Sequence, residues 1–224
     1  MSSCNIVCLK WGSKYSSDYV NILYNMVRRN IDQEFKFFCY TDDPTGIIDG
    51  INIIDIKSGL EKWWPKLDLL SIFTEGETIF FDLDIVILNN LSCLISLKTK
   101  NLTILYSFWK NNAQTLRSSS TPTLFNSSVM KWTDAQGVKV YKHFMEQKHK
   151  YLLIYSGVDR FFYNEPVTID LLPSNIAYSY WKGAMFHRDN EPELLRLNYD
   201  ICILNHGDKN KDVIDKSWIK DYWK

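Results

Sequence analysis

The chain has 224 residues, 46% of them apolar and 23% charged, with 26 basic residues balanced by 26 acidic ones. That length suits one well-buried domain, the composition excludes intrinsic disorder, and the cancelled charge offers no global field to attract nucleic acid or an anionic membrane. Five scattered cysteines without a C-x-x-C pair predict reduced thiols and hence a cytoplasmic protein; no signal peptide is expected, and no run reaches the roughly 20 apolar residues of a membrane span.

In chain order, "NIVCLKW" reads as a short buried strand. "YSSDYVNILYNMVRRN" reads as a helix, because Tyr19, Ile22, Leu23, Met26 and Val27 recur at helical spacing and Ser17 or Asp18 can cap it. "EFKFFCYTDD" and "INIIDI" are strands separated by Pro44 and Gly46. "WWPKLDLLSIF" opens a helix with Pro65 in its first turn, where a missing N–H costs little. "ETIFFDLDIVIL" is strand again. Strand–helix–strand–strand–helix–strand predicts an α/β fold with a mainly parallel sheet between helices. Further on, "NLTILYSFW", "TLFNSSVMKW" and "DICILNH" are expected as strands. "TDAQGVKVYKHFMEQKHK", "VDRFFYNE" and the closing "KDVIDKSWIKDYWK" are expected as helices, and polar "KNNAQTLRSSSTPT" as a mobile loop. Neither repeat nor linker interrupts the pattern, so residues 1–224 are expected to form a single domain.

The chemistry concentrates in "FFDLDIVI". On a strand, Asp82 and Asp84 share a face while Phe81, Leu83 and Ile85 share the other. Two adjacent carboxylates repel, and burying them unpaired is expensive. A divalent cation relieves both, and hard oxygen donors suit Mn²⁺ or Mg²⁺ with positions left for phosphate oxygens. The plainer reading is a strand that frays at Asp82 and turns both acids to water.

Two enzyme classes carry D-x-D at such a strand end. The haloacid-dehalogenase-like phosphohydrolases place it on their first strand and follow it with threonine. Here about 80 residues precede it and Ile85-Val86 follows. The chain instead resembles the GT-A-fold nucleotide-sugar glycosyltransferases, similar to glycosyltransferase family eight and related bacterial and viral sugar transferases. The blocks "VCLKWGSKYSSDYVNILYNMVRR", "FFCYTDDPTGI", "WWPKLDLLSIF", "IFFDLDIVI", "FNSSVMKW" and "NHGDKNKDV" carry the resemblance in order.

The resemblance implies a GT-A (Rossmann-like) fold. Residues 1–90 would form a nucleotide-binding half and 91–224 a sugar- and acceptor-binding half. It implies transfer of a hexose from a UDP-sugar to a glycan, lipid-linked or protein acceptor, with Mn²⁺ or Mg²⁺ bridging the diphosphate. Asp84 would ligate the metal, with Asp82 sharing it or binding the ribose. His206, before Gly207, would complete the set, as neutral imidazole suits Mn²⁺ better than Mg²⁺. The family's diphosphate lysine falls on Lys209 or Lys211, with Lys209 in better register, although the usual following proline is missing. In "KWGSKY", Tyr15 would stack on the base, Trp11 would join the donor site and Lys10 or Lys14 would reach the phosphates; Asp42 would accept from base or ribose, or cap a turn. Lys66 stands where relatives carry a basic nucleotide contact. Asn126 and Ser127 would touch the transferred sugar. Asp159 is the carboxylate nearest the family's acidic position, with Val158 as the other alignment, and would orient the sugar, stabilise the transition state or act as base. Trp63 and Trp64 are expected in the core. The resemblance favours retention of anomeric configuration. A non-catalytic nucleotide-sugar-binding module on the same fold is the remaining alternative.

Overall fold

The computed structural model describes residues 4–110, 120–184, 192–205, 213–215 and 218–224. Its centre is a seven-stranded sheet with spatial order β3-β2-β1-β4-β7-β6-β8. The strands are β1 (Cys4–Lys10), β2 (Phe35–Thr41), β3 (Asn52–Asp55), β4 (Glu77–Phe81), β6 (Leu102–Tyr106), β7 (Phe125–Thr133) and β8 (Ile169–Leu171). The first four are mutually parallel, and β7 runs antiparallel to both β4 and β6. A second sheet has order β5-β10-β9, from β5 (Ile85–Ile87), β10 (Ile201–Ile203) and β9 (Ala177–Ser179).

Successive residues of the central strands enter different cores, as the pleat requires. In β1, Cys4, Ile6 and Cys8 enter one cluster and Val7 and Leu9 the other; in β4, Ile79 and Phe81 oppose Phe80. Helix α1 (Ser17–Asn30) covers the first face through Val20, Leu23, Met26 and Val27, alongside the smaller sheet. The other face is covered by α2 (Lys66–Ile72), α4 (Val138–Glu146), α5 (Lys148–Ile154) and α6 (Val158–Asn164). Short α3 (Ser92–Ser96) packs on the first face and α7 (Pro192–Leu195) adds Leu195 to it. A sheet buried on both faces needs apolar residues at successive positions, which is why its strands read as near-continuous apolar runs.

The strand–helix order expected for the first 90 residues is the one observed, and three expectations need correction. The strand expected over 77–88 ends at Phe81: Asp82 to Asp84 form a turn, and the chain re-enters as β5 in the other sheet. The α1 boundary falls at Ser16, one residue before the expected cap, and Ser16 Oγ donates to Asp18 rather than capping a backbone N–H. The single helix expected from Thr133 to Lys150 breaks at Gln147, whose φ of −135° is not helical. Strands β8 and β9, three residues each, carry no pattern strong enough to be read. Of the expected terminal helix, the described residues show residues 213–215 as helical and a 3₁₀ turn at Trp218–Asp221. Residues 111–119 of the expected mobile loop lie outside the described residues. Among the described residues, no helix is long and apolar enough to cross a membrane, and all five cysteines are free thiols.

Candidate active site

The carboxyl ends of β1, β2 and β4 lie side by side because the three strands are parallel and in register. Such strand ends are where open α/β sheets bind ligands. A cavity of about 520 Å³ opens there. From the stretch that follows β1 it is lined by Trp11, Lys14 and Tyr15, and from the turn after β4 by Asp82, Leu83 and Asp84. The second half of the chain closes it with Lys110, Asn126, Ser127, Ser128, Gly157, Asp159 and Arg160.

The turn after β4 preserves the alternation expected of a strand, for a tertiary reason. Asp82 N still donates to Ser128 O at 2.9 Å, one step beyond the β4–β7 ladder. Leu83 then turns into the first core, 2% exposed, and Leu204 N, just after β10, donates to Asp84 O at 3.0 Å. Leu83 thus anchors the turn from below while both carboxylates line the cavity.

The two acids have different partners. Asp82 Oδ1 lies 2.6 Å from Lys66 Nζ. Lys66 is the first residue of α2 and is buried beneath the cavity, its ammonium 5.0 Å from the centre of the Phe80 ring. Burial pushes the Asp82 carboxyl up; the Lys66 ammonium pulls it back and the Asp84 charge adds to the rise, and the net direction is upward. Asp84 Oδ2 accepts from the Tyr15 hydroxyl at 2.9 Å. Burial and then the Asp84 charge hold that phenol well above the usual tyrosine range, so Tyr15 remains a donor at neutral pH.

From Lys66 the network runs into the other half of the cavity. Its ammonium also donates to Ser127 Oγ at 3.2 Å. Ser127 in turn gives Asp159 Oδ1 two hydrogen bonds, from its backbone N–H at 2.9 Å and its hydroxyl at 2.7 Å. Asp159 Oδ2 meets Lys110 Nζ at 3.4 Å. Beside it, Asn126 Oδ1 accepts from Ser128 N at 3.1 Å, which leaves its amide nitrogen as the donor on a cavity-lining side chain. One connected chain of ionic and hydroxyl groups therefore links Asp82 to Asp159 across the cavity floor.

Of the residues singled out from sequence, Trp11, Tyr15, Lys66, Asp82, Asp84, Asn126, Ser127 and Asp159 line this one cavity. Lys10 and Asp42 do not; they brace its edge. Lys10 is buried and donates to Asp43 O at 3.1 Å. Asp42 accepts from Gly12 N through both oxygens, at 3.1 and 3.0 Å, and so holds the left-handed turn that Gly12 makes at φ +64°. Val158 is 2% exposed in the second core and also borders the cavity, while Asp159 presents its carboxylate to Ser127 and Lys110. Trp64 is buried as expected, stacked on Phe144 at 5.5 Å, whereas Trp63 is 44% exposed and lines the cavity, contrary to its expected place in the core. Lys62, Lys110 and Arg160 were not anticipated, since a single lysine or arginine beside a polar segment carries no local signal. His206, Lys209 and Lys211 lie outside the described residues.

Among the described residues, no group of three or more His, Cys, Asp or Glu side chains gathers to hold a metal ion. The Asp82–Asp84 pair nevertheless fits a hard divalent cation. It presents carboxylate oxygens on a cavity wall, and the upward pull that Asp84 exerts on Asp82 is the repulsion a cation would relieve.

No family model and no curated protein matches the sequence. Solved structures do. The galactosyltransferase LgtC, solved with donor and acceptor sugar analogs, superposes with a TM-score of 0.60 at 14% identity, covering 89% of this chain and 86% of that one. Mouse xyloside xylosyltransferase 1 gives 0.54 at 12% identity, covering 92% and 99%. The glycosyltransferase GlyE of Streptococcus pneumoniae gives 0.59 at 14% identity, covering 90% of this chain, which spans about half (54%) of GlyE. At these identities the likeness is one of fold: the chain has the GT-A fold of glycosyltransferases.

Proposed function

We propose that this GT-A-fold chain is a metal-dependent glycosyltransferase that moves a hexose from a UDP-sugar to a glycan, lipid-linked or protein acceptor with retention of configuration. The observation that carries this reading is the connected network from Asp82 through Lys66 and Ser127 to Asp159, lying along one cavity at the strand carboxyl ends. Two carboxylates suited to a cation stand at the Lys66 end of the cavity and a single oriented carboxylate, Asp159, at the Ser127 end.

In the reaction, the bond between the sugar's anomeric carbon and the diphosphate oxygen breaks. An acceptor hydroxyl oxygen takes its place, and the hydroxyl proton leaves with the departing phosphate oxygen. A Mn²⁺ or Mg²⁺ ion held by Asp82 and Asp84, with His206 as further ligand, would stabilise the charge growing on the leaving nucleoside diphosphate. Lys66 pulls the Asp82 carboxyl back toward its charged form and orients it. Tyr15, as a hydroxyl donor, fixes the rotamer of Asp84, and Lys14 or Lys209 adds positive charge for the phosphates. Ser127 and Lys110 lock Asp159 so that its carboxylate can orient the sugar hydroxyls, beside the amide of Asn126. Such positioning is a large share of what a transferase must supply. The phosphohydrolase alternative is not favoured: the D-x-D turn follows the fourth strand and leads directly into β5.

Calorimetric titration with UDP in the presence of Mn²⁺, followed by UDP release from a panel of UDP-hexoses, tests the proposal. Metal-assisted uptake that is lost in Asp84→Asn, with the fold retained, is the expected result. No uptake of any sugar nucleotide with either metal, or phosphomonoester hydrolysis lost in Asp82→Asn without UDP release, overturns it.

A further inference from the structure

Segment 218–224 is joined to the cavity by a row of aromatic rings that the transfer chemistry leaves unused. The row starts at the acidic pair, where the Tyr15 hydroxyl donates to Asp84 Oδ2 at 2.9 Å. Tyr15 stands one residue before the Ser16 cap of α1, and Tyr19 N donates to Ser16 O at 3.2 Å. That opening turn brings the two rings together, with centroids 4.9 Å apart and planes tilted by 50°. Trp223 then meets Tyr19 edge-on, at 5.3 Å and 75°. All three side chains are half-buried and pack against the first core.

Trp223 is itself held from two directions. Ile219, fully buried in the first core, accepts through its carbonyl from Tyr222 N at 2.9 Å and from Trp223 N at 2.8 Å. Arg29, in the last turn of α1, donates to Tyr222 O at 2.7 Å and to Lys224 O. A ring fixed in this way restricts the rotation of Tyr19, and through it the rotamer of Tyr15. The Tyr15 hydroxyl is then aimed at one oxygen of Asp84. A carboxylate offers about four lone-pair sites on its two oxygens, so this hydrogen bond orients Asp84 and leaves sites for a cation.

Resting on the transferase reading above, we infer that Tyr19 and Trp223 are positioning residues for the cation site. They act through the Tyr15 hydroxyl on Asp84, and segment 218–224 thereby sets how tightly the Asp82–Asp84 pair holds a divalent ion. Groups that touch a metal ligand rather than the metal carry about 10- to 100-fold of the affinity.

Calorimetric titration of Mn²⁺ into the full chain with excess UDP tests this, with the melting of each variant recorded alongside. Tyr15→Phe keeps the ring and removes the hydroxyl, and should weaken Mn²⁺ binding about 10-fold. Trp223→Leu should weaken it about 3- to 5-fold, the scale of an edge-on aromatic pair. Trp223→Phe retains a ring against Tyr19 and should restore affinity to within about 2-fold. Arg29→Gln releases the segment without altering a ring and should act in the same direction as Trp223→Leu. The deciding comparison is the double variant. In the Tyr15→Phe background Trp223→Leu should cost nothing further, because the hydroxyl through which it acts is absent. A loss of equal size in both backgrounds, which a general loosening of the fold would give, overturns the inference and leaves the transferase reading standing. Unchanged Mn²⁺ affinity in Trp223→Leu does the same. No Mn²⁺ uptake by the unmodified chain instead overturns the transferase reading, and this inference with it.

Discussion

Replacing Lys66 with methionine isolates the electrostatic design of the cavity. Methionine keeps most of the lysine stem's volume and removes the ammonium, so packing under the cavity is largely conserved. What is lost is the 2.6 Å contact to Asp82, leaving two carboxylates in one turn without that counter-ion. Breaking a fully buried ion pair costs about 3–5 kcal/mol. Asp82 is 24% exposed, so solvent screens part of this, and about 2 kcal/mol is the expected loss. For a chain of this size that corresponds to a Tm lowered by about 4–8 °C. Manganese should offset most of the effect. With the ammonium gone, the uncompensated charge attracts the cation more strongly, and a tenfold gain in affinity adds about 1.4 kcal/mol of metal-linked stability. Melts of both proteins with and without excess Mn²⁺ measure the difference, and transfer by the variant should fall because Ser127 and Asp82 lose their common tether. A Tm change within 1 °C without metal, or equal Mn²⁺ protection of both proteins, would refute this account of the Asp82–Lys66 pair.

Asp159→Asn keeps a side chain that can accept from Ser127 and removes the charge facing Lys110. UDP release should drop at least about 100-fold while UDP affinity stays within a few fold, and unchanged turnover would remove Asp159 from the chemistry. Gly137→Ala should destabilise by about 1–3 kcal/mol in urea melts. Its new Cβ would meet three atoms of Leu70 at 2.8–3.2 Å, including Leu70 Cβ, and that overlap outweighs the roughly 0.5–1 kcal/mol alanine offers at a helical backbone position. Burial holds the Asp68 carboxyl above its ordinary value, although Ser58 and Tyr40 hydrogen bonds pull it down. The folded protein therefore keeps that proton to higher pH than the unfolded chain. Stability from this group is complete below the unfolded value and is lost as pH rises through the folded one. Urea midpoints of Asp68→Asn should gain on the unmodified protein across that rise, and a constant difference at all pH values would contradict the assignment.

Much of the first half of the fold was legible because its information is local. The apolar periodicity of α1 and the unbroken apolar runs of β1, β2 and β4 arise from burial on one helix stripe or on two sheet faces, and each shows in a short window of sequence. The Asp82–Asp84 pair was legible for the same reason, as charge set inside an apolar run. What the sequence could not decide depends on partners far along the chain. The strand expected through Leu88 stops at Phe81 because β5 pairs with β10, more than 100 residues later. Trp63 and Trp64 are neighbours of one residue type, yet one stacks on Phe144 and the other stands against Gly157; nothing nearby distinguishes them. Val158 and Asp159 are chain neighbours with opposite surroundings because α6 packs the valine on the second core and turns the carboxylate toward Ser127. The sequence alone thus determined which stretches are buried and where a like-charged pair stands. The tertiary structure decided which distant cations, hydroxyls and rings meet around that pair, because those contacts are set by strand pairing and helix docking rather than by chain neighbours.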